Sequence, residues 1–132
     1  MIYVDTSFWV ALRNRRDPHH ADATGLYRHH ADAGLVTTNH VRGETWTYLR
    51  RKVGHGGAVG FLDSIERSPR LRIVRVEARH EAEALRWLRQ HDEREYSFVD
   101  ATSFALMRSM RIREALAFDG DFNAAGFVER RS

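Results

Sequence analysis

Five acids carry the chemistry open to this sequence: Asp5, Glu44, Asp100, Asp119 and Asp121. Asp5 closes the opening apolar run Ile2–Val4, and Asp119 closes "ALAF". Glu44 falls in the second turn of a helix expected after "LVTT", close to an apolar face formed by Val41, Thr45, Trp46, Tyr48 and Leu49. Asp100 falls in the first turn of a helix opened by "YSFVDATSF", and Asp121 sits two residues past Asp119 in "DGDF". Singly, each has an ordinary reading. Asp5 could cap a helix, and Asp100 could complete a capping box with Ser97. Asp119 and Asp121 could turn the chain beside Gly120, and Glu44 could be a solvated helical residue. Jointly, four or five carboxylates at one edge would repel one another and raise each other's pKa values. A divalent cation removes that conflict, and an all-oxygen donor set suits Mg²⁺ or Mn²⁺ rather than Zn²⁺. The chain has no cysteine, which excludes disulfides, thiolate metal sites and a Cys nucleophile.

The elements that must hold these acids alternate between strand and helix. Ile2–Val4 reads as a strand, followed by a helix from about Thr6 to Asn14. Asp17-Pro18 looks like an N-cap with Pro at the first helical position, opening a helix to about Ala33 that Gly34 terminates. Leu35–Thr38 reads as a strand, and Asn39 as the cap of a helix ending near Val53. "GHGGAVGFLDSIERSP" holds another helix, Leu71–Val76 is a strand, and a helix runs from about Ala78 to Gln90. One more helix starts near Ser97, and Ala115–Phe118 and Gly126–Glu129 are the fourth and fifth strands. At 132 residues this is one domain. The alternation predicts an α/β fold with a short, mostly parallel sheet flanked by helices on both faces. In such sheets ligands bind beyond the C-terminal strand ends, where the acids fall.

Charge bounds the partner less tightly. The formal charge is +3, and all 21 basic residues except Lys52 are arginine. Arginine suits phosphate through its planar fork, although a compositional bias toward arginine would give the same count. A polyanionic partner is permitted, and 18 acids argue against a uniformly basic surface. No run is long and apolar enough to span a membrane, and no signal-peptide pattern opens the chain, so a cytoplasmic protein is expected.

The order "VDTS", "GETW", "FVDATSFALM", "AFDGDF" resembles the PIN-domain ribonucleases, and within them the VapC toxins of bacterial VapBC toxin–antitoxin pairs. The likeness runs from Ile2 to Val128. It implies a PIN-like fold and an Mg²⁺- or Mn²⁺-dependent endoribonuclease, with one or two ions per site, that cuts structured RNA to leave a 5′-phosphate and a 3′-hydroxyl. It places the family acids on Asp5, Glu44, Asp100 and Asp119, with Asp121 beside the last. Asp5, Asp100 and Asp119 or Asp121 would hold metal, and Glu44 would hold a second ion or orient the attacking water. The small hydroxyl after the first acid falls on Ser7, with Thr6 as the alternative. Many relatives carry Thr where this chain has Ala117, which leaves Asp119 versus Asp121 open. Arg13, Arg15, Arg16 and Arg42, near the acids in sequence, are the candidates to position RNA together with Ser7. The resemblance also implies a VapB antitoxin, a homodimer, and a target in tRNA or in the sarcin–ricin loop of large-subunit rRNA.

Other readings compete. A haloacid-dehalogenase-type phosphatase needs a second Asp where this chain has Ser7, and a catalytic lysine where the only candidate is Lys52. A housekeeping RNA-processing nuclease, or a non-enzymatic RNA- or protein-binding module with a structural cation, would share the fold. The eight histidines read as surface residues, since His19 and His30 lie three turns apart. "HDERE" reads as a solvated loop and the three tryptophans as core.

Overall fold

The computed structural model describes residues 1–131. Five strands, β1 (Ile2–Val4), β2 (Leu35–Thr38), β3 (Leu71–Val74), β4 (Glu114–Leu116) and β5 (Val128–Glu129), form one sheet in the order β3-β2-β1-β4-β5. Every pairing is parallel, with Tyr3 opposite Val36 on one side and Ala115 on the other. Seven α-helices connect and cover the strands: α1 (Thr6–Arg13), α2 (His20–His30), α3 (Asn39–Lys52), α4 (His55–Glu66), α5 (Ala78–Gln90), α6 (Phe98–Met110) and α7 (Asp121–Ala124). The central strand β1 is buried along its whole length, as a strand covered on both faces must be.

Two aromatic clusters mark the two covered faces. Tyr3 points toward α6, donating its hydroxyl to Ser103 Oγ at 2.6 Å and packing on Phe122, with Phe104, Phe127 and Trp87 beyond. Trp9 meets Tyr27 and Phe61 in the other, formed by α1, α2 and α4. Each tryptophan is buried or packed against the core, as expected.

Several boundaries differ from the sequence reading, each for a local reason. The residue capping α3 is Thr38, whose hydroxyl accepts from the Val41 N–H at 3.1 Å. Asn39 instead accepts from the Val76 N–H at 2.7 Å, tying the end of β3 to the start of α3. Asp17 accepts from the His19 N–H at 2.8 Å in a turn, so α2 begins at His20 and gives way to a 3₁₀ turn over Ala31–Ala33 before Gly34, at φ 88°. β4 stops at Leu116 because the Phe118 N–H goes to the Ser7 hydroxyl rather than to a neighbouring strand. His30 and His80, read as surface residues, are both buried, and at His30 that burial, with His29 beside it, lowers the pKa.

Candidate active site

The strand order reverses at β1: β2 lies on one side of it and β4 on the other. A crevice must open beyond the C-terminal ends of β1 and β4, where connections leave to opposite faces. Asp5 and Asp119 stand at those two ends. The crevice is a cleft of about 560 Å³ lined by Asp5, Thr6, Ser7, Glu44, Asp100, Asp119 and Asp121, among others. All five acids singled out in the sequence therefore converge on one cavity. One carboxylate oxygen from each of Asp100, Asp119 and Asp121 lies within 4.8 Å of the others.

The ordinary capping roles are present as well, and they orient the acids. Asp5 caps α1, its Oδ2 accepting from the Ser7 N–H at 3.1 Å and the Ser7 hydroxyl at 2.7 Å. Asp100 closes a reciprocal box with Ser97: its Oδ2 accepts from the Ser97 N–H at 3.0 Å and Ser97 Oγ accepts from the Asp100 N–H at 2.9 Å. A carboxylate has two oxygens, so capping with one leaves the other for the cleft. Ser7 Oγ also accepts from the Phe118 N–H at 3.0 Å, joining the ends of β1 and β4. The hydroxyl expected to meet RNA is thus engaged twice within the protein. Thr6 Oγ1, in the same cleft, is buried without a protein partner, the situation that calls for a water or ligand oxygen.

Electrostatics show what the cluster lacks. Burial first, and then the Asp119 carboxylate, push Asp5 up to about 8. Burial pushes Asp100 up to about 7 against the hydrogen bonds of Ser97, with Asp121 and Asp119 adding to the rise. Asp119, exposed at the mouth of the cleft, rises to about 6 through partial desolvation, helped by the Asp121 and Glu129 carboxylates. Three carboxyls that resist ionisation side by side are a site short of positive charge. The donor set is oxygen alone, so a hard divalent cation fits it.

Arg94, in the loop expected to be merely solvated, supplies part of that charge. Its Nε donates to Asp121 Oδ1 at 2.9 Å and its Nη2 to the Asp119 carbonyl at 3.2 Å. Its neighbour Glu95 lines the cleft, as do Asp17 and Tyr48. Glu129 is the other residue the sequence reading did not single out. Its fully buried carboxylate accepts from the N–H groups of Gly120, Phe122 and Asn123 at 3.3, 3.1 and 3.2 Å, and pairs with Arg131 at 2.8 Å. Arg131 also bonds the Ala117 carbonyl. The turn bearing Asp119 and Asp121 is therefore fixed from behind by Glu129, whatever hydroxyl Ala117 lacks. Glu129→Ala leaves three N–H groups without their acceptor, while the half-exposed Arg131 keeps solvent and the Ala117 carbonyl. The expected cost is about 2–3 kcal/mol of folding stability, read from denaturant melts, together with weaker metal binding. A variant that melts like the parent would remove Glu129 from this role.

The basic residues part company with the acids. Arg13, Arg15 and Arg16 line a separate concavity with Lys52, and Arg42 lines neither that hollow nor the cleft.

The PIN domain model matches residues 2–128. This chain belongs to the PIN-domain family, and within it to the VapC proteins. It is 54% identical over 131 residues to the 23S rRNA-specific endonuclease VapC20 of Mycobacterium tuberculosis strain CDC 1551, covering 99% of this chain and 98% of that one. The strain H37Rv protein of the same name matches equally. The crystal structure of M. tuberculosis VapC20, described as a sarcin–ricin loop cleaving toxin, superposes with a TM-score of 0.91 at 52% identity over the full length of both chains. VapBC2 of Rickettsia felis, solved with a DNA fragment of its promoter, shares the fold at a TM-score of 0.73 and 14% identity. The PIN-like α/β fold expected from the sequence is the one observed. Among the described residues no helix is long and apolar enough to cross a membrane.

Proposed function

We propose that this protein is the toxin of a VapBC-type pair, a divalent-metal-dependent endoribonuclease that hydrolyses a phosphodiester in the sarcin–ricin loop of 23S rRNA. The observation that carries the reading is the gathering of Asp5, Asp100, Asp119 and Asp121 in one cleft of a chain 54% identical, end to end, to an rRNA-specific endonuclease. The choice of the sarcin–ricin loop over tRNA rests on that relative. The whole chain is read as a single PIN domain, acting in the cytoplasm as a homodimer and held in check by a VapB antitoxin.

Mg²⁺ or Mn²⁺, one or two ions per site, would supply acidification of water and neutralisation of phosphoryl charge. Asp5, Asp100 and Asp119 are the residues to hold it. Asp121, already paired with Arg94, completes the charge balance and stands ready as an outer ligand. Ser7 keeps the Asp5 carboxylate aimed into the cleft. Glu44, on α3, offers an acceptor that can orient the attacking water. No side chain need become a nucleophile, and the cut leaves a 5′-phosphate and a 3′-hydroxyl.

The test is to incubate the purified protein with intact ribosomes and total tRNA in Mg²⁺ or Mn²⁺ and to sequence the new 5′ ends. A single cut in the sarcin–ricin loop, absent in EDTA and in Asp100→Asn, is the expected outcome. Cuts confined to tRNA would reassign the substrate. No cleavage by protein with metal bound would favour the binding-module reading.

A further inference from the structure

The acidic cleft and the basic concavity are built on the same two helices. From α1, Val10 faces the cleft while Arg13, followed by Asn14, faces the second hollow; from α3, Glu44 and Tyr48 face the cleft and Lys52 the second hollow. Glu44, Tyr48 and Lys52 are spaced i, i+4 and i+8, so they form one stripe along α3 about 12 Å long. That is the axial length of roughly three to four stacked nucleotides at ~3.4 Å each.

The two hollows have opposite charge. Seven carboxyl residues line the cleft: Asp5, Asp17, Glu44, Glu95, Asp100, Asp119 and Asp121. The second, about 430 Å³, is lined by Arg13, Asn14, Arg15, Arg16, Lys52 and Val53, with no acid. All four cations are exposed, and among the described residues none of them is in an ion pair. Basic residues at helix C-termini offset the macrodipole, but two helix ends supply only about one negative charge between them. Four cations exceed that requirement, and Arg15 and Arg16 lie beyond the end of α1. Between the two hollows stands Tyr48, 43% exposed, with Lys52 Nζ 5.8 Å from its ring centroid. An exposed aromatic ring leading from a phosphodiester-cutting site to a cationic pocket has the form of a base-stacking platform.

We propose that this stripe is an RNA track: phosphates flanking the scissile bond seat on Arg13, Arg15, Arg16 and Lys52, and a base between them and the acids stacks on Tyr48. The inference rests on the nuclease reading above and adds Tyr48 and Lys52 to the substrate site, while Arg42 lies outside it.

Binding of a fluorescent hairpin RNA of sarcin–ricin sequence tests the track, with full-length Asp100→Asn protein as the uncut parent and NaCl varied. Further substitutions are added to that parent, and thermal melts matching it check that each variant folds. Arg15→Ala with Lys52→Ala should weaken binding and flatten the slope of log Kd against log salt by about 1.4–1.8, two phosphate contacts' worth. Tyr48→Ala should weaken binding roughly 5- to 160-fold with the salt slope unchanged, and Tyr48→Phe should restore it. Arg86→Ala with Arg89→Ala on α5, outside both hollows, removes equal charge and should leave affinity and slope alone. Parent-like binding by the Arg15/Lys52 and Tyr48 variants, or an equal loss in the α5 control, overturns the track; cleavage of ribosomes by the wild type would then leave the nuclease reading standing. No hairpin binding by the parent also overturns it, and if the wild type leaves ribosomes uncut the nuclease reading falls as well.

Discussion

Asp100→Asn should cut cleavage steeply while making the metal-free protein at least as stable. The side chain keeps its shape, and its amide oxygen can still accept from the Ser97 N–H, so the start of α6 is preserved. What is lost is a negative charge in a site where the other carboxylates must hold a cation. Metal catalysis supplies several kcal/mol of charge stabilisation, and each 1.36 kcal/mol is a factor of ten, so a fall on the order of a thousandfold is expected in single-turnover cleavage. Stability moves the other way because Asp100, 7% exposed and pushed up to about 7 mainly by burial, is costly to ionise in the fold. Melts in EDTA near pH 8 should show a Tm equal to or above the wild type. Cleavage at wild-type rates would remove Asp100 from the site. A lower Tm in EDTA would mean that the ionised acid stabilises the fold, contrary to the burial argument.

The pH dependence of stability should reverse when metal is added. Asp5 at about 8, Asp100 at about 7 and Asp119 at about 6 all lie above the ordinary carboxyl value of 3.8. A group whose folded pKa is raised contributes fully below its unfolded pKa and loses that contribution as pH climbs through the folded value. The metal-free Tm should therefore fall between about pH 4 and pH 8. The unfolding free energy drops by about 1.4 kcal/mol per pH unit for each carboxyl still protonated only in the folded state. His30, with its pKa lowered, pulls the opposite way around its own titration, but it is one group against three. Divalent metal needs ionised ligands, so it should release protons on binding and stabilise the fold far more at pH 8 than at pH 5, by about 2.7 kcal/mol at a hundred times its Kd, with Tm rising accordingly. Calorimetric melts across pH with EDTA, Mg²⁺ or Mn²⁺ read this out. A flat metal-free profile, or equal metal shifts at both pH values, would show that the three acids do not share a charge-deficient site.

Five residues of the site were legible in the sequence because each stands at a local landmark. Asp5 and Asp119 follow apolar strands, Asp100 sits three residues after a capping serine, Asp121 flanks a glycine turn, and Glu44 lies near an apolar helix face. The alternation of strands and helices likewise placed the sheet edge at which they meet. What escaped depends on partners distant in sequence. Arg94 looked like one more charge in a loop, yet its carboxylate partner lies 27 residues further on. Glu129 looked like the end of an edge strand, and only the folded chain brings it under the Asp119–Asp121 turn. Sequence proximity also hid a distance: Arg13 ends the helix that Asp5 caps, and eight helical residues carry it about 12 Å along the axis, into a different hollow. Asn39 had the right chemistry for a cap, and lost that place to Thr38 because its amide was needed at Val76.

Crystals grown with Mn²⁺ near pH 8, examined by anomalous scattering, would place the ion itself. An anomalous peak in the cleft, with carboxylate oxygens of Asp100 and Asp119 about 2.0–2.4 Å away and Asp5 bound directly or through water, is expected, and it should vanish in Asp100→Asn. A cleft without a peak at saturating Mn²⁺, or an ion held elsewhere on the molecule, would contradict the reading of these acids as the metal centre of a nuclease.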